Sequence, residues 1–439
     1  MKKIMKRIIS VICVAALFIA CNEALRYILI DDTESYTRVS MHQLYNSEEN
    51  IEIAFVGSSH VYRSFVPEIT DAGFGAYTFN CGSSSQKMDG SSVMVKELLD
   101  HHDVSHIYLE LFHEMAESKA NKDRDQMTAT YIISDYMKPS VRRIHYILQA
   151  STKEHWVNGF ILARRNWEKI FDLDYVKTLI AKKNTQAYKN YELIREEGQS
   201  EYYVDRGYVA CEGILANELN QRAYTPINLD AVSDNWKNAL QDIIKVCKKE
   251  GVELTFFITP MPECTTVGKG NYDEYHTFIQ KIADEAGVDF YDFNLINNQI
   301  FSTKENTWFK DVHHLNADGA EEFSRLFCEI FTGKLDKEEV LYDSLAQKLE
   351  NEEPYVYGAG YLREEDEDKT VKDVRIVANR TEGIEYMLIA NPKEGESYIL
   401  QDFSQNREIT LPKEEEGVLS IVWRLKEKPD KVTTIEVEY

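Results

Sequence analysis

Three side chains in this sequence have the types and spacing of a nucleophilic hydroxyl, its base and the acid behind the base. Gly57-Ser58-Ser59-His60 directly follows the apolar run Ile51 to Val56, and Asp311-Val312-His313-His314-Leu315-Asn316 lies far along the chain. A serine hydroxyl is a poor nucleophile until an imidazole within about 3 Å removes its proton, and the imidazole needs a carboxylate to fix its tautomer and stabilise its charged form. A serine on a sharp turn after a buried strand, with acid and imidazole supplied from one distant loop, points to acyl transfer through an acyl-enzyme. Asp311 and His314 are three apart, so both side chains can leave one short loop in the same direction. Asn316 can then cap a helix that begins at Ala317 and runs to about Phe331. Ser58 is the rival nucleophile and His313 the rival base. As plain turn residues, Ser58 and Ser59 would only hydrogen-bond the backbone.

The pairing of G-x-S after the first strand with D-x-x-H before the last helix resembles the SGNH (GDSL-like) hydrolase superfamily. That resemblance implies an α/β fold, a flavodoxin-like three-layer sandwich around a parallel sheet, with Ser59 as nucleophile, Asp311 as acid and His314 as base. Asn80-Cys81-Gly82-Ser83-Ser84, after the apolar run Ala76 to Phe79, is similar to the second family block, whose glycine amide helps hold the oxyanion. Gly82 is thereby implied as an oxyanion donor beside the amide of Ser59. The third block, G-x-N-D, is not present in that form: Ile107-Tyr108-Leu109-Glu110-Leu111 ends in Phe112-His113-Glu114. His60, Arg63 and His113 are candidate substrate contacts. Arg63 could meet an anionic polymer or form a structural salt bridge, and His113 sits at the carboxyl end of a strand, where ligands gather in open α/β sheets.

More narrowly, residues 45–335 resemble the membrane-tethered SGNH proteins of Gram-positive bacteria, similar to the D-alanine transfer protein of teichoic acid synthesis and to alginate O-acetylation proteins. The resemblance implies an extracytoplasmic acyltransferase or esterase that adds or removes acyl groups, such as acetyl, on a cell-surface polysaccharide. Its partners would be a surface glycan, an acyl donor and a membrane-embedded acyl-transfer protein, with no cofactor. A noncatalytic binding or scaffold protein of a surface-polymer assembly is the alternative, and the missing third block favours it.

The elements that must position these residues are legible as alternating patterns. Ile51 to Val56, Ala76 to Phe79, His106 to Leu111, Val252 to Thr259 and Val288 to Phe293 are short apolar runs suited to buried parallel strands, separated by amphipathic stretches. Trp236, Leu240, Ile243, Ile244 and Cys247 recur at helical spacing before Gly251, a stop signal. Between 113 and 235 the strand signal lapses and Tyr131, Tyr136, Trp156, Trp167, Tyr175 and Tyr188 stand among charges, which reads as a helical insertion over the carboxyl ends of the strands. These aromatics serve either helix packing or an acceptor groove for sugar rings. Residues 336–354 read as a helix and linker. Beyond them, six runs from Val371 to Val437, separated by turn residues, predict a small all-β sandwich over 355–439.

At the start, Lys2, Lys3, Lys6 and Arg7 precede the apolar run Ile8 to Ala20, the form of an export signal or signal anchor within residues 1–31. Thirteen helical residues rise about 20 Å, short of the roughly 30 Å hydrocarbon core, so the flanks Ile4, Met5 and Ala24 to Ile30 must extend the contact. The basic start predicts an uncleaved anchor with the body outside the cell membrane. The other reading is a lipid anchor at Cys21, preceded by Leu17-Phe18-Ile19-Ala20. With 439 residues, two folded units plus this segment are expected. The net charge of −24 argues against nucleic acid and against a body clinging to anionic lipid. Cys13, Cys21, Cys81, Cys211, Cys247, Cys264 and Cys328 show no C-x-x-C or metal spacing, so neither a disulfide framework nor a metal site is expected.

Overall fold

The computed structural model describes residues 2–116, 127–219, 223–362 and 371–439. Its centre is a five-stranded parallel sheet made of β1 (Ile53–Gly57), β2 (Thr78–Gly82), β3 (His106–Glu110), β4 (Glu253–Ile258) and β5 (Asp289–Asp292). The strands lie in the order β2-β1-β3-β4-β5, the flavodoxin-like arrangement expected from the sequence.

The pleat explains why these runs are apolar on both sides. Ala54, Val56, Phe79, Ile107, Leu109 and Phe256 point into one core, shared with helices Met88–His101, Asp234–Glu250 and Tyr272–Ala286. Ile53, Phe55, Tyr108 and Phe257 point into the other, shared with helix Ala317–Phe331 and with Val61 and Phe65. Alternate residues therefore feed alternate layers, which gives the three-layer sandwich. The caps follow the sequence: Ser233 Oγ accepts from the Trp236 amide, and Gly251 ends that helix at φ +73°.

Segment 113–235 holds the expected helices and also a hairpin that the strand pattern did not announce. Strands Glu201–Asp205 and Tyr208–Cys211 pair antiparallel around Arg206 (φ +44°) and Gly207 (φ +80°). Two positive φ values suit the tight right-twisting hairpin, but Arg-Gly is a weaker signal than Asn-Gly. A Cβ on Gly207 would come within 2.1 Å of the Asn80 carbonyl oxygen, so only glycine lets this tip lie against β2.

The carboxyl-terminal part forms two sheets that share one core. Strands Val356–Leu362, Val371–Ala378 and Glu408–Pro412 pair antiparallel, and Ala223–Tyr224 from the insertion joins their edge in parallel. Tyr398–Ser404, Ile384–Pro392, Gly417–Leu425 and Lys428–Glu438 form the second, wholly antiparallel sheet. Val374, Ile376, Leu388 and Ile421 meet between them.

The first helix is longer than the apolar run that marks it. Lys2–Leu29 is continuous, and it is the one helix among the described residues long and apolar enough to cross a membrane. Its exposed apolar length, with Cys21 on it, leads into a grip by the body. Asn166 and Tyr175 both donate to the Leu29 carbonyl at 3.0 Å, and Lys183 Nζ donates to the Ile30 carbonyl at 2.6 Å. The last carbonyls of the helix are thus satisfied by the insertion.

Candidate active site

Ser59 is the first residue of the short helix Ser59–Ser64, which starts directly after β1. Its Oγ lies 2.8 Å from His314 Nε2, and His314 Nδ1 lies 2.9 Å from both oxygens of Asp311. The loop that carries acid and imidazole is closed on itself, because the Lys310 amide donates to the His314 carbonyl at 2.9 Å. Asn316 then caps the following helix by accepting from the Gly319 amide at 2.9 Å, as its position predicted. Burial pushes the Asp311 carboxyl up. His314's hydrogen bond and charge, the His313 amide and the nearby Arg63 guanidinium outweigh it and hold the group well below the usual carboxylate range. Asp311 is therefore a fixed anion behind the imidazole.

The rivals separate by geometry. Ser58 is 2% exposed and faces inward: its amide and hydroxyl donate to Glu110 Oε2 at 2.6 and 2.9 Å. His313 Nε2 stands 3.8 Å from Glu114, away from the serine pair. Gly82, paired with Gly57 in the sheet, lies against the nucleophile turn so closely that a Cβ there would come within 2.7 Å of the Ser58 carbonyl oxygen.

Of the three candidate substrate contacts, none keeps a free polar tip facing solvent. His60 is 2% exposed, with Nδ1 at 3.0 Å from Thr259 Oγ1 and its ring 4.0 Å from that of Phe112. His113 is 1% exposed among Phe112 and Tyr275, and burial drives both imidazoles well below the ordinary histidine range. Arg63 bonds Glu201 at 2.6 Å and reaches Asp311 at 3.6 Å. Its salt-bridge reading is the one the geometry fits. β3 runs out into Phe112 and His113, and neither side chain is an amide.

Sequence reasoning missed Glu110, Glu201 and Thr265. Glu201, on the unannounced hairpin, anchors Arg63 beside Asp311. Thr265 donates to the Val312 carbonyl at 2.9 Å and so pins the acid–imidazole loop from beneath. Glu110 is wholly buried under the nucleophile turn. Burial raises its carboxyl to about 7 against the lowering effect of the two Ser58 donors. A lone acid inside the run Ile107 to Leu111 was the available signal.

Glu110 gives a pH prediction. A carboxyl held above its ordinary value binds its proton more tightly in the folded than in the unfolded chain, so stability falls as pH rises from about 5 through 7. Glu110→Gln keeps an acceptor for Ser58 and removes the titration. Between pH 5 and 8 the parent is expected to lose up to about 3 kcal/mol relative to this variant. Urea unfolding at the two pH values checks it, and parallel pH dependences in parent and variant would refute it.

No family model matches the chain, and no curated protein matches it. Among solved structures it is similar to a candidate acylhydrolase from Bacteroides fragilis, at 8% identity and a TM-score of 0.32 over 67% of this chain and 95% of that one. A GDSL-like lipase from Bacteroides thetaiotaomicron matches at 8% identity and 0.32, over 69% of this chain and 100% of that one. A structure described as a platelet activating factor from Streptococcus pneumonia matches at 12% and 0.31, over 70% and 95%. At these identities and scores the likenesses assign no residue, and the fold rests on the strand order and the site on its own distances.

Proposed function

We propose that this protein is a membrane-anchored, extracytoplasmic serine esterase or acyltransferase of the SGNH type, acting on acyl esters of a cell-surface polysaccharide. The observation that carries the acyl-enzyme reading is the unbroken line from Ser59 Oγ through His314 to Asp311, at 2.8 and 2.9 Å. Ser59 Oγ attacks the acyl carbonyl while His314 Nε2 takes its proton. The amides of Ser59 and Gly82 receive the oxyanion. Collapse breaks the bond to the leaving oxygen or sulfur, which takes the proton from His314 and departs, leaving the acyl group on Ser59. An acceptor hydroxyl then gives its proton to His314 and attacks the acyl carbonyl; collapse breaks the bond to Ser59 Oγ, which takes that proton back from His314. Water as acceptor makes an esterase; a sugar hydroxyl makes a transferase.

The body's grip on the end of helix Lys2–Leu29 supports a retained anchor. The basic residues before it support a body outside the cell. The glycan, the donor and a membrane-embedded partner follow from the resemblance to surface-polymer acyltransferases.

The test is intact mass of the full chain in detergent after treatment with a fluorophosphonate. One adduct is expected on the parent and none on Ser59→Ala. No adduct on a folded parent would overturn the acyl-enzyme and leave a binding or scaffold protein. With an acylated donor, acylated oligosaccharide rather than free acid would mark a transferase.

A further inference from the structure

A cavity of about 410 Å³ opens where helix Lys2–Leu29 meets the body, and Arg26, Arg38, Lys138, Lys183, Tyr188 and Tyr191 are among its walls. None of its lining residues belongs to the Ser59 site, so a ligand held there would be independent of the proposed reaction.

The charge inside is unbalanced. Lys183 Nζ lies 2.8 Å from Asp32 and Arg38 Nε lies 4.0 Å from the same carboxylate. Arg38, Asp32 and Lys183 side chains are only 8, 5 and 1% exposed. The other buried acid of the wall, Asp135, is held by Arg165 through two bonds of 2.6 and 2.8 Å. Two buried cations therefore share one carboxylate. Lys183 is the closer partner of that carboxylate, and Arg38 donates to the Tyr188 carbonyl at 3.0 Å with its carboxylate 4.0 Å away, so a bound anion would complete the set at Arg38. On the rim, Arg26 has Glu23 at 3.6 Å, whereas Lys138 Nζ meets the Tyr45 ring at 4.4 Å and His101 at 3.4 Å. In a chain of net charge −24 this is a local reversal of sign.

The walls are also set for more than a bare ion. The Arg38 guanidinium lies over the rings of Tyr188 (3.7 Å) and Tyr191 (4.1 Å), and the Tyr191 ring stacks on His42 at 3.5 Å. Held in this way, a planar guanidinium is prepared for a phosphate. The position fits one source. Glu23 and Arg26 follow the exposed apolar run of the helix, which ends at Ala20, within about 9 Å along its axis. With that run in a bilayer, the cavity lies at the level of the headgroups.

We infer that this cavity binds a phosphate ester, the chemistry shared by phosphoglycerol headgroups and glycosyl phosphates. The test titrates the full chain in non-ionic detergent with dihexanoyl phosphatidylglycerol, glycerol 3-phosphate and inorganic phosphate, read by calorimetry. Saturable binding of phosphatidylglycerol is expected, weakened at least tenfold by Lys138→Glu and by Arg38→Gln and weakened by added salt. Lys138 is exposed, so its substitution tests the site even where Arg38→Gln disturbs folding. Binding of the lipid above the two soluble phosphates places the source in the membrane; equal binding of glycerol 3-phosphate supports the site with a soluble ester. Binding of none of the three, or unchanged affinity in both variants, overturns the inference.

Discussion

Asp311→Asn is expected to lower turnover of a small soluble ester about 10⁴-fold with little change in KM, the scale seen when the triad acid of a serine protease loses its charge but keeps its shape. The geometry dictates how the variant amide would sit. Asp311 Oδ1 accepts from the amides of His313 and His314 at 2.9 and 3.0 Å, so the asparagine oxygen stays there. Its NH₂ then falls where Oδ2 stood, 2.9 Å from His314 Nδ1. An NH₂ there donates to Nδ1, so the tautomer with the ring proton on Nε2, facing Ser59, gains against the one whose Nδ1–H donates to Oδ1 at 2.9 Å. An imidazole in that tautomer cannot take the serine proton. The same variant should label with fluorophosphonate more slowly by a similar factor, and its urea midpoint should fall, since the charge that His314, the His313 amide and Arg63 stabilise is lost. A loss under tenfold, with normal labelling, would mean that Asp311 orders the loop without serving the imidazole.

What the sequence disclosed and what it hid divide along a physical line. The five strands were legible because a parallel sheet covered on both faces needs largely apolar runs such as Ile51 to Val56 or Val252 to Thr259. The serine, acid and imidazole were legible because each sits at a strand end or helix start, where local signals such as the Asn316 cap are strong. The supports of the site were not, because they come from elements whose placement is decided by packing. Glu201 reaches Arg63 only through a hairpin whose Arg-Gly turn carries a weak signal. Thr265 reaches Val312 only because its helix, Glu263–Lys269, follows β4 over the top of the sheet. His60 and His113 read as exposed tips at a site; both rings pack on the apolar Phe112 and are drawn into the interior.

That same helix carries the second large effect. Glu263 at its start is fully buried and lies 2.8 Å from Lys348 Nζ, itself fully buried on helix Leu345–Glu350. The remaining valences are filled. Lys348 donates to the Asn294 carbonyl at 3.0 Å and stands 2.8 Å from Thr303 Oγ1; Glu263 accepts from Asn298 at 2.7 Å and from the Tyr357 hydroxyl of the carboxyl-terminal sheet. Burial pushes the Glu263 carboxyl up, but Lys348 and these donors hold it below its ordinary value. Its contribution is therefore present above about pH 4.5 and lost as pH falls. Removing one partner leaves a buried charge alone, so Lys348→Met is expected to cost about 3–5 kcal/mol in urea unfolding at pH 7. Glu263→Gln in the same chain should restore a large part of that loss, since a neutral pair needs no counter-charge. The active site supplies a second readout, because Thr265, two residues along, holds the loop of Asp311 and His314. In Lys348→Met, fluorophosphonate labelling should slow at temperatures well below unfolding, and the double variant should regain it. A single variant as stable as the parent would mean that water reaches the pair, and then neither the stability nor the labelling would move.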